Sequence, residues 1–246
     1  MATALITGGT SGIGLAFARA LAARGDDLVL VARDAGRLEA AAHELTAAHG
    51  VRVETIQADL AERADAQRVA ERLAEPGRPV DTLVNNAGFS VGATLLDPSM
   101  DKHDRAAEVM MRTVLLLQGA AARAMRARGA GTIINVASIA AFVTQGHYSA
   151  IKAYVVALTE SLAVELRGTG VRVTALCPGY VRTEFHARAG IKGSSIPGPL
   201  WLDADALVAQ CLRDVERGRV LSVPKARWAA IHGALRHAPR PLVRRL

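Results

Sequence analysis

At 246 residues, half of them hydrophobic and only 4% aromatic, the chain lies within the reach of one α/β domain whose core is mainly Ala, Val, Leu and Ile. Two cysteines, Cys177 and Cys211, make no disulfide framework, no leader precedes the first strand pattern, and no apolar run is long enough to span a bilayer, so a cytoplasmic protein is expected. The formal charge of +7 is concentrated at one end: residues 218–246 hold seven Lys or Arg and no Asp or Glu. That segment is read as solvated or packed, rather than as a surface for nucleic acid or anionic lipid.

Short β-branched runs alternate with longer amphipathic segments, the signature of βαβ units and a parallel sheet. Strands are predicted at residues 3–7, 28–32, 52–57, 82–85, 132–136, 172–176 and, weakly, 220–223. Helices are predicted between them at 13–24, 36–49, 61–74, 100–128, 148–167 and 204–216. Seven strands and six helices in alternation describe one doubly wound domain over residues 1–246, a seven-stranded parallel sheet with helices on both faces. One long irregular stretch, residues 180–203, contains Gly190, Gly193, Ser194, Ser195, Pro197, Gly198 and Pro199. Long loops in compact domains are usually functional, and this one follows the sixth strand, so it is a candidate substrate lid.

Two motifs carry chemistry. Thr7-Gly8-Gly9-Thr10-Ser11-Gly12-Ile13-Gly14 joins the first strand to the first helix. Gly8, Gly12 and Gly14 permit positive φ and close backbone approach, and the helix starting near Ile13 points its amides at a phosphate. The spacing differs from the commonest dinucleotide fingerprint, and the alternative is an ordinary tight turn. Farther on, Tyr148 and Lys152 stand at i and i+4 on one helical face, ten residues after Ser138. A phenol titrates near ~10, and an adjacent ammonium is expected to lower that value and fit it for proton transfer.

With Asn85-Asn86-Ala87-Gly88 and Pro178-Gly179, these motifs fall in the order and approximate spacing of the short-chain dehydrogenase/reductase family, which the chain resembles from residue 3 to about 223. The resemblance implies a Rossmann fold and a nicotinamide cofactor held by Gly8, Thr10, Ser11, Gly12, Ile13 and Gly14. It adds Asn86, Ala87 and Gly88 along the adenosine ribose, Asp59 and Leu60 at the adenine, and Pro178, Gly179, Val181 and Thr183 near the carboxamide. Ser138 would hold the substrate oxygen, Tyr148 would act as acid or base, and Lys152 would also bond the nicotinamide ribose. No metal is implied. Asp59 has an equal alternative as the N-cap of the helix that follows.

Cofactor choice rests on the residues after the second strand. An acidic side chain there would favour NAD; the chain has Ala32 and then Arg33, whose guanidinium suits a 2′-phosphate. NADP is expected over NAD, with Asp34 able to weaken the preference. One departure concerns the long helix, where many members carry an asparagine that supports a water chain to the lysine. Here Met110, or secondarily Met111, occupies the place, and a thioether donates no hydrogen bond.

The flanking segments offer Phe89, Val91, Leu95, Leu96, Phe142, Val143, Tyr180, Phe185, Ile191, Ile196, Leu200 and Trp201, which favours an apolar ketone or secondary alcohol. Arg182, Arg188 and Lys192 are the few charges available to clamp an anion. His147 and His186 lie near the site and receive no role. The segment 224–246 has the pattern of an amphipathic helix interrupted at Pro239 and Pro241; packing on the fold is expected over lipid contact. The resemblance also implies a homodimer or homotetramer through helices 100–128 and 148–167. An NADP-dependent carbonyl reductase is therefore expected, with a cofactor-binding sensor or scaffold as the alternative.

Overall fold

The run Thr3–Thr7, apolar on both faces, is β1 of the sheet, and in a computed structural model describing residues 1–185 and 197–244 it is an interior strand. Such a strand needs cover on both sides, which parallel crossovers supply. The further main strands are β2 (Asp27–Ala32), β3 (Val53–Gln57), β4 (Thr82–Asn85), β5 (Gly131–Val136) and β6 (Val171–Leu176). With β9 (Leu221–Ser222) they form a seven-stranded parallel sheet in the order β3-β2-β1-β4-β5-β6-β9. The order reverses between β1 and β4, so the crevice beyond their carboxyl ends is where such a sheet binds ligands.

Helices α1 (Gly12–Ala22), α2 (Ala35–His49) and α7 (Ala204–Glu216) build one apolar layer around Phe17, Leu38, Leu45 and Leu207. On the other face α3 (Arg63–Ala74), α5 (Thr113–Arg128) and α6 (Gly146–Glu165) supply Val69, Leu117 and Ile151. Between β4, β5, α5 and α6 runs a buried polar network: Asn85 Nδ2 donates to Asn135 Oδ1 at 2.8 Å, and Asn135 Nδ2 donates to Gln118 Oε1 and Thr159 Oγ1 at 2.8 and 2.9 Å. Satisfied networks of this kind fix one arrangement of the elements they join.

Several predicted elements differ in detail. The helix expected at 100–128 is α4 (Asp101–Ala107), a π turn at Glu108–Arg112, and α5. Both sides of that wider turn are tied to the β3–α3 connection, through Arg105 to Asp59 and through Thr113 Oγ1 to the Leu60 carbonyl. Helix α3 starts at Arg63 with Glu62 as N-cap, because Asp65 accepts the Asp59 amide and holds the preceding residues in a turn; Asp59 is not the cap. The stretch predicted irregular contains a small parallel sheet of β7 (Tyr180–Val181) and β8 (Trp201–Leu202). Gly190, Gly193, Ser194 and Ser195 lie outside the described residues.

The basic terminal segment packs on the fold through α8 (Ala226–His237) and a short α9 (Arg240–Val243). Trp228, 4% exposed, donates from Nε1 to the Leu200 carbonyl at 3.2 Å, and its ring covers Gly179, where any Cβ would collide with it. The helical pattern breaks at Pro239, whereas Pro241 sits in the first turn of α9, where proline is tolerated. Truncating Trp228 to Ala removes this anchor and is expected to lower unfolding free energy by about 3–5 kcal/mol in a urea titration. A loss under about 1 kcal/mol would mean that the segment contributes little to the fold.

Candidate active site

At the carboxyl ends of β1 and β4, Asn86 Nδ2 donates to the Thr7 carbonyl at 2.9 Å and the Gly8 carbonyl at 3.2 Å. Thr7 Oγ1 accepts from the Asn86 and Ala87 amides at 2.9 and 3.0 Å. These bonds clamp the glycine turn against the end of β4. Gly8 and Gly12 have φ of +65° and +53°, and a Cβ on Gly14 would run into the Gly8 carbonyl, so α1 packs directly on the turn. Ser11 is the N-cap of α1 but its side chain caps nothing. The amides of Gly12, Ile13 and Gly14 consequently have no protein acceptor among the described residues. Uncapped first-turn donors beside a glycine crook suit a pyrophosphate. Thr183 faces Gly12 across this crook, and Thr10 lies half-buried on its rim.

The adenosine end is marked by charge. Arg33 is exposed, has no carboxylate in ion-pair range among the described residues, and uses its backbone carbonyl to accept from Gln57 Nε2. Asp34 is turned away to cap α2, accepting the Arg37 amide at 3.0 Å. Arg37, which the sequence reading passed over, reaches Glu184 at the start of the substrate loop with contacts of 3.1–3.3 Å. Asp59 accepts from the Ala61 amide and from Arg105 at 2.6 and 3.0 Å. Partial burial pushes its carboxyl up, but Arg105 and the amide more than offset this and hold it below the usual range. Leu60 is buried beneath.

Ser138 ends the extended chain after β5 and caps a short 3-10 turn (Ile139–Phe142), its Oγ accepting the Ala140 amide at 3.1 Å. That leaves the hydroxyl proton for a second partner, and the Tyr148 phenol lies within its reach. Tyr148 and Lys152 project from the first turns of α6. Lys152 is 5% exposed, and its Nζ donates to the Val136 carbonyl at 2.8 Å. Burial lowers its ammonium to about 8, with the neighbouring Cys177 sulfur opposing. Burial also raises the Tyr148 phenol to about 12, with the Ser138 hydroxyl opposing.

The expected depression of the phenol by Lys152 is therefore not what this structure shows. Nζ sits 5.6 Å from the ring centroid and spends its hydrogen bond on Val136, so burial decides the phenol's value. Cys177 is pushed up to about 12 by burial and stays a packed thiol. Pro178 accepts the Ile139 amide at 2.9 Å, joining the Ser138 segment to the end of β6, while Gly179 lies under Trp228 and Val181 is buried in β7.

A cavity of about 330 Å³ opens beside Tyr148 between residues 90–97 and 145–148. Of the apolar residues expected to line it, Val91 does; Leu95 and Leu96 are exposed, and Phe142 packs edge-on against His232 of α8. Phe185 lies 6.1 Å from the Tyr148 ring. His186, Arg188, Ile191, Lys192 and Ile196 lie outside the described residues. Met110 is fully buried in the π turn, its sulfur against Gly88, where a Cβ would stand 3.1 Å away; Met111 is only partly buried.

Comparison with known proteins agrees with this architecture. Residues 2–192 match the family model described as short chain dehydrogenase, and the chain belongs to the short-chain dehydrogenase/reductase family. It is 41% identical over 189 residues to the galactitol 2-dehydrogenase (L-tagatose-forming) of Cereibacter sphaeroides, covering 75% of this chain and 73% of that one. Its fold superposes with a TM-score of 0.87 on a short-chain dehydrogenase from Sphingobium yanoikuyae in complex with NADPH, at 37% identity, covering 96% of this chain and 94% of that one. A bulky-bulky ketone specific alcohol dehydrogenase from Comamonas testosteroni superposes with a TM-score of 0.83 at 30% identity, covering 98% and 96%. The protein is thus an oxidoreductase that acts on alcohol or carbonyl groups and binds a nicotinamide dinucleotide.

Proposed function

We propose that the enzyme uses NADPH in preference to NADH to reduce a largely apolar ketone, with Ser138, Tyr148 and Lys152 as its catalytic residues. The observation that carries this reading is the grouping of the partly buried Ser138 and Tyr148 with the buried Lys152 at the mouth of a cavity, with Lys152 fixed on the Val136 carbonyl. The relative that acts on ketones and the neighbour that binds NADPH support it. The uncapped α1 turn would hold the pyrophosphate, Arg33 with Arg37 nearby would meet a 2′-phosphate, and Asp59 with Leu60 would meet the adenine. Asn86, Ala87, Gly88, Pro178, Gly179, Val181 and Thr183 would line the rest of the cofactor. Bound there, the cofactor supplies a hydride for the carbonyl carbon.

The chain's own groups handle the oxygen. Ser138 Oγ, already accepting from Ala140, donates its proton as a hydrogen bond to the carbonyl oxygen. Tyr148 keeps its proton through the neutral range, because burial raises its pKa, and transfers it to that oxygen as the alkoxide forms. Lys152, charged below about 8 and with its Nζ 5.6 Å from the Tyr148 ring, would bond the nicotinamide ribose and keep a positive charge at the site as the proton moves.

We include a homodimer or homotetramer through α5 and α6 in this reading, supported by Leu115 and Val164, which are 49% and 61% exposed on those helices. Met110 favours one alternative, a cofactor-binding scaffold of slow turnover, because its packed thioether cannot relay a proton. Turnover decides between them. The Tyr148→Phe variant is expected to lose at least about 100-fold in kcat for ketone reduction while binding NADPH as the wild type does by fluorescence titration. Retained activity would exclude Tyr148 as the proton donor, and wild-type protein that binds NADPH but turns over no ketone would leave the scaffold. Reversing the charge at Arg33→Asp should lower the NADPH-to-NADH ratio of kcat/KM at least about tenfold. An unchanged ratio would place the phosphate elsewhere.

A further inference from the structure

One contact beside the site has no part in the chemistry above. His103 on α4, 1% exposed, sets its Nδ1 2.9 Å from the Nδ1 of His147, the residue preceding Tyr148 on α6. The other nitrogen of His103, Nε2, lies 3.0 Å from the Thr94 carbonyl. A carbonyl only accepts, so His103 Nε2 carries a proton. In the uncharged pair, His103 Nδ1 is then the acceptor and His147 Nδ1 the donor. This fixes the tautomer of His147: its Nε2 holds a lone pair and no proton.

That nitrogen has no partner among the described residues, and His147 lines the cavity next to Tyr148. Asp97 lines the same wall; its Oδ2 accepts the Thr94 amide at 2.8 Å, and it leaves a second oxygen for another donor. Ser90, Thr94 and Gln145 line the same cavity and can donate as well as accept, so His147 Nε2, which can only accept in this tautomer, is the group that asks for a donor on the substrate.

We propose that His147 Nε2 accepts a hydrogen bond from a hydroxyl group of the substrate, making the enzyme selective for ketones that carry a hydroxyl near the carbonyl. His103 is the positioning residue that holds His147 in the accepting tautomer. The proposal refines, and rests on, the reading of the site as a ketone reductase. Burial first and His103 second lower the His147 pKa, with Asp104 opposing, which supports an uncharged ring at neutral pH.

The test is NADPH oxidation with butanone and with each of its monohydroxy derivatives. Wild type is expected to show kcat/KM at least about tenfold higher for the best hydroxyketone than for butanone. In His147→Leu that ratio should fall to within about threefold of unity, the loss residing in KM. His103→Gln keeps an amide for the Thr94 carbonyl but offers His147 no acceptor at the Nδ1 position, and should lower the ratio too, while His147→Gln retains part of it through its amide oxygen. Thermal melts confirm which variants are folded. No hydroxyl preference in the wild type, or a preference unchanged in either folded His147→Leu or His103→Gln, overturns the proposal while ketone reduction stands. Failure to oxidise NADPH with any of these ketones overturns the reductase reading and this one together.

Discussion

The hydrogen bond from Lys152 Nζ to the Val136 carbonyl is the contact on which the site depends. It joins the last residue of β5 to the second turn of α6 and fixes how α6 approaches the sheet. An amine this deeply buried is held by one carbonyl and a nearby phenol ring, with no carboxylate pairing it among the described residues. Desolvation accordingly brings its proton within reach of neutral pH, as burial does for amines in general. Ser138 lies two residues beyond Val136, and Tyr148 lies one helical turn before Lys152. That contact sets Lys152, and with it Tyr148 one turn earlier, beside the segment that carries Ser138.

Around that contact the fold does two jobs. The Asn85, Asn135, Gln118 and Thr159 network behind β5 keeps α5 and α6 in place without leaving a buried polar group unsatisfied. The Asn86 clamp holds the glycine turn against β4 at the reversal of strand order, so the dinucleotide cradle and the Tyr148 cavity open on the same edge of the sheet. The Arg37–Glu184 contact ties the adenosine side of that edge to the beginning of the substrate loop.

The parts legible from the sequence are those set by local periodicity. The seven main strands follow from short apolar runs, and Tyr148 with Lys152 shares a helical face by spacing alone. What escaped depends on contacts distant in sequence. The π turn cannot be read from the uninterrupted helical pattern 100–128, because the constraints beside it come from Asp59 and the Leu60 carbonyl. His103 and His147 are 44 residues apart, and nothing in either segment signals that they meet. Val136 is an ordinary strand residue whose importance lies in its backbone oxygen. Spacing places Lys152 beside Tyr148, but only the packing shows that burial governs the phenol's shift.

The pH dependence of ketone reduction tests this account most directly. Tyr148 at about 12 contributes no ionisation in the working range, whereas the Lys152 ammonium at about 8 is charged below that pH and lost above it. The kcat/KM for reduction at saturating NADPH should therefore be level from about pH 6 to 7.5, then fall toward tenfold per pH unit above about 8. In Lys152→Arg, whose charge does not titrate there, that descending limb should vanish, at reduced absolute activity. A wild-type profile that stays level to pH 10, or a limb that survives unchanged in Lys152→Arg, would contradict the role given to the buried ammonium.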